Sequence, residues 1–160
     1  MALHRDLPLC FDDLEVGDEW ASPARTVTEA DVVAFAGLSG DFNPLHVDHE
    51  AARAGAFGRP VAHGLLGLAI VSGLGSHSPR VATLAFLAID RWSFLKPVAF
   101  GDTVHVLTRV ESITPRARGR RAEVVWDRRL VNQKGETVQE GLTRTLVKGR
   151  AADPSPAAPA

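Results

Sequence analysis

Cysteine is nearly absent from this sequence, which has 160 residues and a single cysteine, Cys10. One cysteine excludes a disulfide within the chain. The six histidines are scattered, and no group of cysteines and histidines has the spacing of a zinc site. The sequence therefore predicts a protein that requires no metal and no cofactor.

The sequence also has almost no net charge and no long apolar run. The formal net charge is −1, which argues against a generic nucleic-acid-binding protein. The one basic run, RARGRR at 116–121, is expected to form a solvated hairpin turn. The longest apolar stretch, 65–74, is too short to cross a bilayer, and the first residues lack the apolar run of a signal peptide. We expect a cytoplasmic protein with no membrane or nucleic-acid partner.

The remaining composition is that of an ordinary globular chain. Hydrophobic residues make up 45% and charged residues 23% of the sequence, a balance typical of folded proteins. The length favours one domain with a proper core. We predict a single domain over 1–150, followed at 151–160 by a flexible tail with the Ala/Pro-rich sequence AADPSPAAPA.

Capping patterns predict two helices in the first third of the chain. Thr28 is an N-cap candidate with Asp31 as the acidic partner of a capping box, and Gly37 is a candidate for the end of that helix. Asp48 is expected to cap a second short helix at 49–54.

A third helix and a series of strands predict the fold class. The segment 64–75 is apolar nearly all round, which is typical of a helix buried on every side, and Gly67, Ala69 and Gly73 would let a sheet approach it closely. A short strand at 19–27, broken at Pro23, precedes it. Four long strands are predicted at about 83–95, 103–113, 121–132 and 137–147. Consecutive strands after one buried helix indicate an α+β fold in which an antiparallel β-sheet wraps around a central buried α-helix. Such a sheet leaves an exposed edge that invites pairing.

The stretch 39–66, SGDFNPLHVDHEAARAGAFGRPVAHGLL, carries the candidate chemistry. Asp41 and His46 lie on one short loop, where Pro44 is expected to bar a helix. A carboxylate and an imidazole held together in this way can share a water molecule, which is the geometry of a general acid–base pair. Gly64, at the start of the apolar helix, offers a free backbone N–H that suits a developing oxyanion.

The segments GDFNPLHVD and FGRPVAHGLL resemble the signature of the MaoC-like dehydratases, which include the R-specific enoyl-CoA hydratases. Further similar features follow at SFLKPVAFGDTV, so that the resemblance covers most of 10–149. It implies the hotdog fold, a coenzyme A thioester as substrate, and a homodimer or dimer of dimers with active sites near the interface.

The resemblance also implies a reaction, the reversible hydration of a trans-2-enoyl thioester to an (R)-3-hydroxyacyl thioester. Asp41 and His46 would hold the water, with the identity of the base left open, and the Gly64 N–H would stabilise the enolate oxygen. Asn43 is expected to support the loop rather than react.

The sequence allows two interpretations for each of three further residues. His63 is either a packed or capping histidine at the helix entry or part of the site. Ser72 either bonds back to a carbonyl one turn earlier or lies on the wall of a substrate channel. Leu65 would, with other apolar side chains, either shape an acyl tunnel or belong to the core; the others are Leu68, Phe86, Trp92 and Phe94.

Two other functions compete with the hydratase. A thioesterase of the same fold also needs a carboxylate, and a non-catalytic hotdog protein could bind an acyl thioester without turning it over. The loop with Asp41 and His46, followed by His63 and Gly64, resembles hydratases rather than thioesterases. Asp41, His46 and Gly64 are all present, which argues against a degenerate, non-catalytic site.

Overall fold

The computed structural model describes residues 7–150. The tail expected at 151–160 lies outside the described residues, so it stays a prediction. No helix within 7–150 combines the length and the apolar character that crossing a membrane would require.

One antiparallel sheet contains all six strands of the described chain. They are β1 (Glu19–Ala21), β2 (Arg25–Thr26), β3 (Thr83–Phe94), β4 (Thr103–Arg116), β5 (Arg121–Asn132) and β6 (Thr137–Lys148). Their order is β1-β4-β5-β6-β3, with β2 also paired to β4. The four predicted long strands are confirmed to within three residues at each end, and the first predicted strand is split around Pro23.

The connections also follow the sequence pattern. The basic run forms a hairpin whose tip is a 3₁₀ turn, Ala117–Gly119. The β5–β6 hairpin turns at Gly135, where φ is +75° and the backbone N–H donates to the Asn132 carbonyl at 3.0 Å.

The described chain contains four α-helices: α1 (Glu29–Ser39), α2 (Pro44–Val47), α3 (His49–Ala54) and α4 (Gly64–Gly75). The capping box at Thr28 is confirmed, since Asp31 accepts from the Thr28 N–H at 2.8 Å. The cap at Asp48 is confirmed as well, because its carboxylate accepts from the Glu50 and Ala51 N–H groups.

Two predicted helix boundaries are wrong. The prediction that α1 ends at Gly37 fails because Gly40 takes the left-handed conformation, with φ +78°, that closes a helix. The prediction that Pro44 bars a helix fails because proline suits the first position of a helix, where its missing N–H costs nothing. Asn43 caps the resulting helix α2 by accepting from the Leu45 N–H at 3.0 Å.

Helix α4 lies against the concave face of the sheet, in agreement with the predicted hotdog arrangement. Leu66, Ile70 and Val71 are buried in the core. Gly67 does allow close approach, because a Cβ there would lie 2.1 Å from the Gln139 amide nitrogen. The expectation that α4 is buried on every side is wrong for the single chain. The face that carries Leu65, Ala69, Ser72 and Gly73 is exposed, so neither Ala69 nor Gly73 meets the sheet.

The core divides into two hydrophobic clusters along the sheet. Val106 and Leu130 belong to the first, and Val110 and Trp126 to the second. Between them, on β5, lies Arg128, directly opposite Thr108 on β4. A buried polar layer therefore separates the two clusters under the C-terminal end of α4.

Candidate active site

The turn between α1 and α2 positions Asp41. Asn43 donates its N–H to the Asp41 carboxylate at 3.2 Å, while its own side chain caps α2. These two bonds hold the carboxylate over the start of α2, which agrees with the supporting role predicted for Asn43. The Asp41 side chain is 53% exposed, so water reaches it freely.

His46 lies on α2 with its ring largely buried. Its Nδ1 lies 2.7 Å from the Val61 carbonyl oxygen, and since a carbonyl only accepts, Nδ1 carries a proton. The neutral ring then has its lone pair on Nε2, which faces the Asp41 carboxylate at 4.0 Å. That distance is too long for a direct hydrogen bond and leaves room for one water to bridge the two groups.

His63 is buried at the entry to α4, and its ring stacks on His46 with 3.8 Å between centroids. Its Nε2 donates to the Asp41 backbone carbonyl at 2.9 Å, and its Nδ1 has no hydrogen-bond partner within 7–150. The side chain does not cap α4. His63 is therefore a packed residue at the helix entry that ties the backbone of Asp41 to the helix that carries Gly64, and its part in the reaction stays a prediction.

Gly64 is the first residue of α4, so its N–H has no partner within the helix. The Phe94 ring occupies the place of a side chain here, since a Cβ on Gly64 would lie 2.9 Å from two ring carbons. The Gly64 carbonyl accepts from the Gln139 amide at 3.1 Å, and Gln139 accepts in turn from the Trp92 indole at 3.2 Å. Sequence reasoning did not single out Gln139, which lies near the start of strand β6.

A cavity of about 340 Å³ lies between His46 and Gly64. Its walls include His46, Gly64, Gln139, Leu45, Phe57 and Phe94. An imidazole that can accept a proton and a helix N-terminus that can donate a hydrogen bond thus face one space. This arrangement can hold a carbonyl oxygen at one side and activate a water at the other.

The other predicted site residues lie elsewhere. Leu65 is 61% exposed on the uncovered face of α4. Ser72, two turns further along α4, makes no bond back to the helix within the described residues, so that interpretation is wrong. Its side chain instead lines a second cavity at the other end of the helix.

Asp41, His46 and His63 are also the three side chains of the site that could approach a metal ion. Each offers one ligand atom, and the three atoms lie within 4.8 Å of one another. His63 would first have to move the proton from Nε2, which donates to the Asp41 carbonyl. The geometry fits a water between two of the groups more directly than a metal among all three.

Comparison with known proteins gives relatives for most of the chain. The family described as MaoC like domain matches residues 15–130. The (R)-specific enoyl-CoA hydratase of Rhodospirillum rubrum is 33% identical over 141 residues, covering 88% of this chain and 92% of the relative. Protein MaoC of Klebsiella aerogenes is 38% identical over 96 residues, which cover 60% of this chain but only 29% of that longer protein.

Solved structures agree. The MaoC-like dehydratase from Rhodospirillum rubrum superposes with a TM-score of 0.77 at 34% identity, covering 90% of this chain and 99% of the other. A Mycobacterium tuberculosis protein with a double hotdog fold superposes with a TM-score of 0.80 at 19% identity, covering 92% of this chain and 47% of that one, which is a likeness of fold alone. The six-stranded sheet around α4 is thus the hotdog fold.

Proposed function

Because this chain belongs to the MaoC-like family, we propose that it reversibly hydrates trans-2-enoyl-CoA thioesters to (R)-3-hydroxyacyl-CoA thioesters. The relatives' hydratase and dehydratase activities place it among the hydro-lyases. The specific thioester, the roles of the side chains and the stereochemistry are the proposal. The observation that carries it is the 4.0 Å gap between the Asp41 carboxylate and His46 Nε2 beside the N-terminus of α4.

Asp41 and His46 act on the water as one acid–base unit. The water donates one hydrogen bond to each, because the carboxylate and the Nε2 lone pair are both acceptors. As the water oxygen bonds to C3 of the enoyl thioester, one of its protons passes to the pair. The pair then returns that proton to C2, so that the sum of the steps is the addition of one water.

Gly64 acts at the other end of the conjugated system. Attack at C3 moves negative charge onto the thioester oxygen, and the Gly64 N–H at the positive end of the α4 dipole donates to that oxygen. One donor of this kind contributes roughly 3–4 kcal/mol to the stabilisation of a transition state. Fixing the carbonyl here and the water at Asp41 and His46 exposes only one face of the double bond, which supports a single enantiomer as product.

The decisive experiment uses crotonyl-CoA and follows the enoyl-thioester absorbance together with free thiol. Hydration lowers the absorbance without releasing thiol. Thiol release would indicate the competing thioesterase, and no change in either would indicate a non-catalytic binding protein. Coupling to an (S)-specific 3-hydroxyacyl-CoA dehydrogenase should give no NADH, whereas substantial NADH would contradict the (R) assignment.

A homodimer is part of the proposal, and strand β3 supports it. This strand ends the sheet, so one side of its backbone has no neighbouring strand. Four of its large apolar side chains are roughly half exposed: Leu84, Phe86, Leu87 and Ile89. An apolar edge strand of this length pairs readily with a second copy. Light scattering at micromolar concentration should give a dimer or a multiple of one, and a stable, active monomer would contradict this; the cytoplasmic location stays a prediction.

A further inference from the structure

Arg128 is a buried cation without a counter-ion. Only 7% of the residue is exposed, yet its guanidinium makes no hydrogen bond or ion pair within 7–150, and Nε is buried without a partner. Burial lowers the pKa of Arg128 to about 10, so the side chain keeps its charge at neutral pH. The guanidinium does contact the Trp126 ring, whose centroid lies 5.9 Å from the guanidinium carbon, but this contact offsets only part of the cost of burial. A buried charge without an opposite charge destabilises a fold, which points to a ligand that supplies the negative charge.

The surroundings of Arg128 have the form of a binding site. A cavity of about 190 Å³ opens over the guanidinium, with Phe86 and Trp126 as apolar walls and Ser72 and Thr145 as hydroxyl-bearing ones. No carboxylate is among the side chains that line it. Gly75 leaves the space that the guanidinium occupies, because a Cβ at this position would lie 2.6 Å from Nη1.

The uncovered face of α4 connects this cavity to the active site. Leu65, Ala69 and Ser72 are spaced by four and three residues, so they form one exposed stripe along the helix. The stripe begins beside Gly64 and ends at the Arg128 cavity. At about 1.5 Å per residue, Ser72 lies about 12 Å and Gly75 about 16 Å along the helix from Gly64.

We propose that the Arg128 cavity receives the far end of the acyl chain and selects enoyl-CoA substrates whose chain ends in a carboxylate. This rests on the proposed hydratase function and names its substrate class. A thioester carbonyl bound at Gly64 directs the acyl chain along the exposed stripe to Arg128. The planar guanidinium pairs with a terminal carboxylate through charge-assisted hydrogen bonds, whereas a terminal methyl group leaves the buried cation with only the Trp126 ring beside it.

The test compares enoyl-CoA substrates in matched pairs, one with a terminal carboxylate and one with a terminal methyl group, at chain lengths of about eight to twelve carbons to span about 12–16 Å. For wild type, kcat/KM should favour the carboxylate member by about tenfold or more at the best length, the effect of a hydrogen bond to a charged group. Arg128→Met should abolish this preference, with each rate expressed relative to crotonyl-CoA. Arg129→Met is the matched control, since Arg129 is exposed and paired with Asp127.

A second readout does not depend on turnover. A free dicarboxylate of the best chain length should raise the Tm of wild type and of Arg129→Met more than that of Arg128→Met. Wild type that prefers the methyl-terminated member, or an Arg128→Met variant that keeps the preference, would overturn the inference. Stabilisation by the free dicarboxylate without any substrate preference would also overturn it, because the cavity would then take a separate anion.

The two proposals fail in different ways. If folded wild type hydrates neither crotonyl-CoA nor any longer chain, the hydratase function is wrong. If it hydrates crotonyl-CoA but shows no preference within the pairs, only the role of Arg128 is wrong. The wild-type ratio decides this even if Arg128→Met fails to fold.

Discussion

The two ends of helix α4 differ in the charged side chains that lie beside them. At the N-terminal end, Asp41 supplies a carboxylate that stands 4.0 Å from His46 Nε2 and 3.9 Å from His63 Nε2. At the C-terminal end, Arg128 is buried with no carboxylate near it. Both ends open into cavities, and His46 lines the first whereas Arg128 lines the second.

The difference shows what each end can bind. The N-terminal end places a carboxylate beside two imidazoles and the first N–H of the helix, so it suits neutral species that become polarised during reaction, a water and a thioester carbonyl. The C-terminal end keeps an uncompensated positive charge beside the negative end of the helix dipole, which offsets only part of the cost of burial. It therefore suits a ligand that carries a negative charge. On these two proposals, the N-terminal end carries the reaction and the C-terminal end binds part of the substrate.

The largest expected effect is at the N-terminal end. His46→Ala should lower crotonyl-CoA hydration by roughly 10²–10⁴-fold, since a well-placed acid–base group contributes that much. His49→Ala is the matched control, because His49 lies on the surface in an exposed pair with Glu29 at 2.8 Å and should keep its rate. Steady-state kinetics with circular dichroism to verify folding will measure both. Loss of less than about tenfold in His46→Ala would refute its role.

The next largest effect is a gain of stability at the C-terminal end. Burial lowers the pKa of Arg128 from its ordinary value to about 10, so the charged form disfavours folding by about 3 kcal/mol as an upper bound. Arg128→Met should therefore raise the free energy of unfolding by about 1–3 kcal/mol in the absence of ligand. Urea denaturation of both proteins at neutral pH measures this.

The pH dependence of that gain has a definite sign. A folded-state pKa below the unfolded value means that the penalty is complete below about pH 10 and fades as the pH rises from there towards the ordinary pKa of arginine. The stability difference between Arg128→Met and wild type should therefore shrink between neutral pH and about pH 11. A variant less stable than wild type at neutral pH would show that Arg128 is a structural residue.

A smaller effect is expected from Gly64→Ala. The new methyl group would collide with the Phe94 ring, whose carbons lie 2.9 Å from the Cβ position, and shift the N–H that faces the thioester oxygen. A displacement of this kind should cost about 10–100-fold in rate. The double variant Gly64→Ala/Phe94→Ala removes the collision and should recover much of the rate. No recovery would mean that the methyl group acts in another way.

The sequence was sufficient for most of the fold. The four long strands were predictable from their length and, in β4 and β5, from their alternation between buried and more exposed positions. The caps at Thr28 and Asp48 have a local cause. Pro44 was misjudged because the same residue ends a helix from inside and begins one at its first position. Local pattern could not decide between these until the Asn43 cap was seen.

For the site, the sequence predicted that Asp41, His46 and Gly64 act together, but it did not predict the residues that hold them in place. The bond from His63 to the Asp41 carbonyl joins residues 22 positions apart, and the contact of Gln139 with Gly64 joins residues 75 apart. Arg128 did leave a signal, since it falls in the inward phase of β5 between Trp126 and Leu130, where a charged residue is out of place. Only the structure could show that Arg128 has no counter-ion beside it among the described residues.

The central claim is that Asp41 and His46 act on one water as a unit. The direct measurement is a double-mutant cycle of crotonyl-CoA hydration with Asp41→Asn, His46→Gln and the double variant. Each single variant should lose roughly 10²–10⁴-fold, and the double variant should be about as slow as the slower single one, because groups that act as a unit lose their contribution together. Losses that multiply in the double variant would contradict the claim and would mean that the two residues contribute independently.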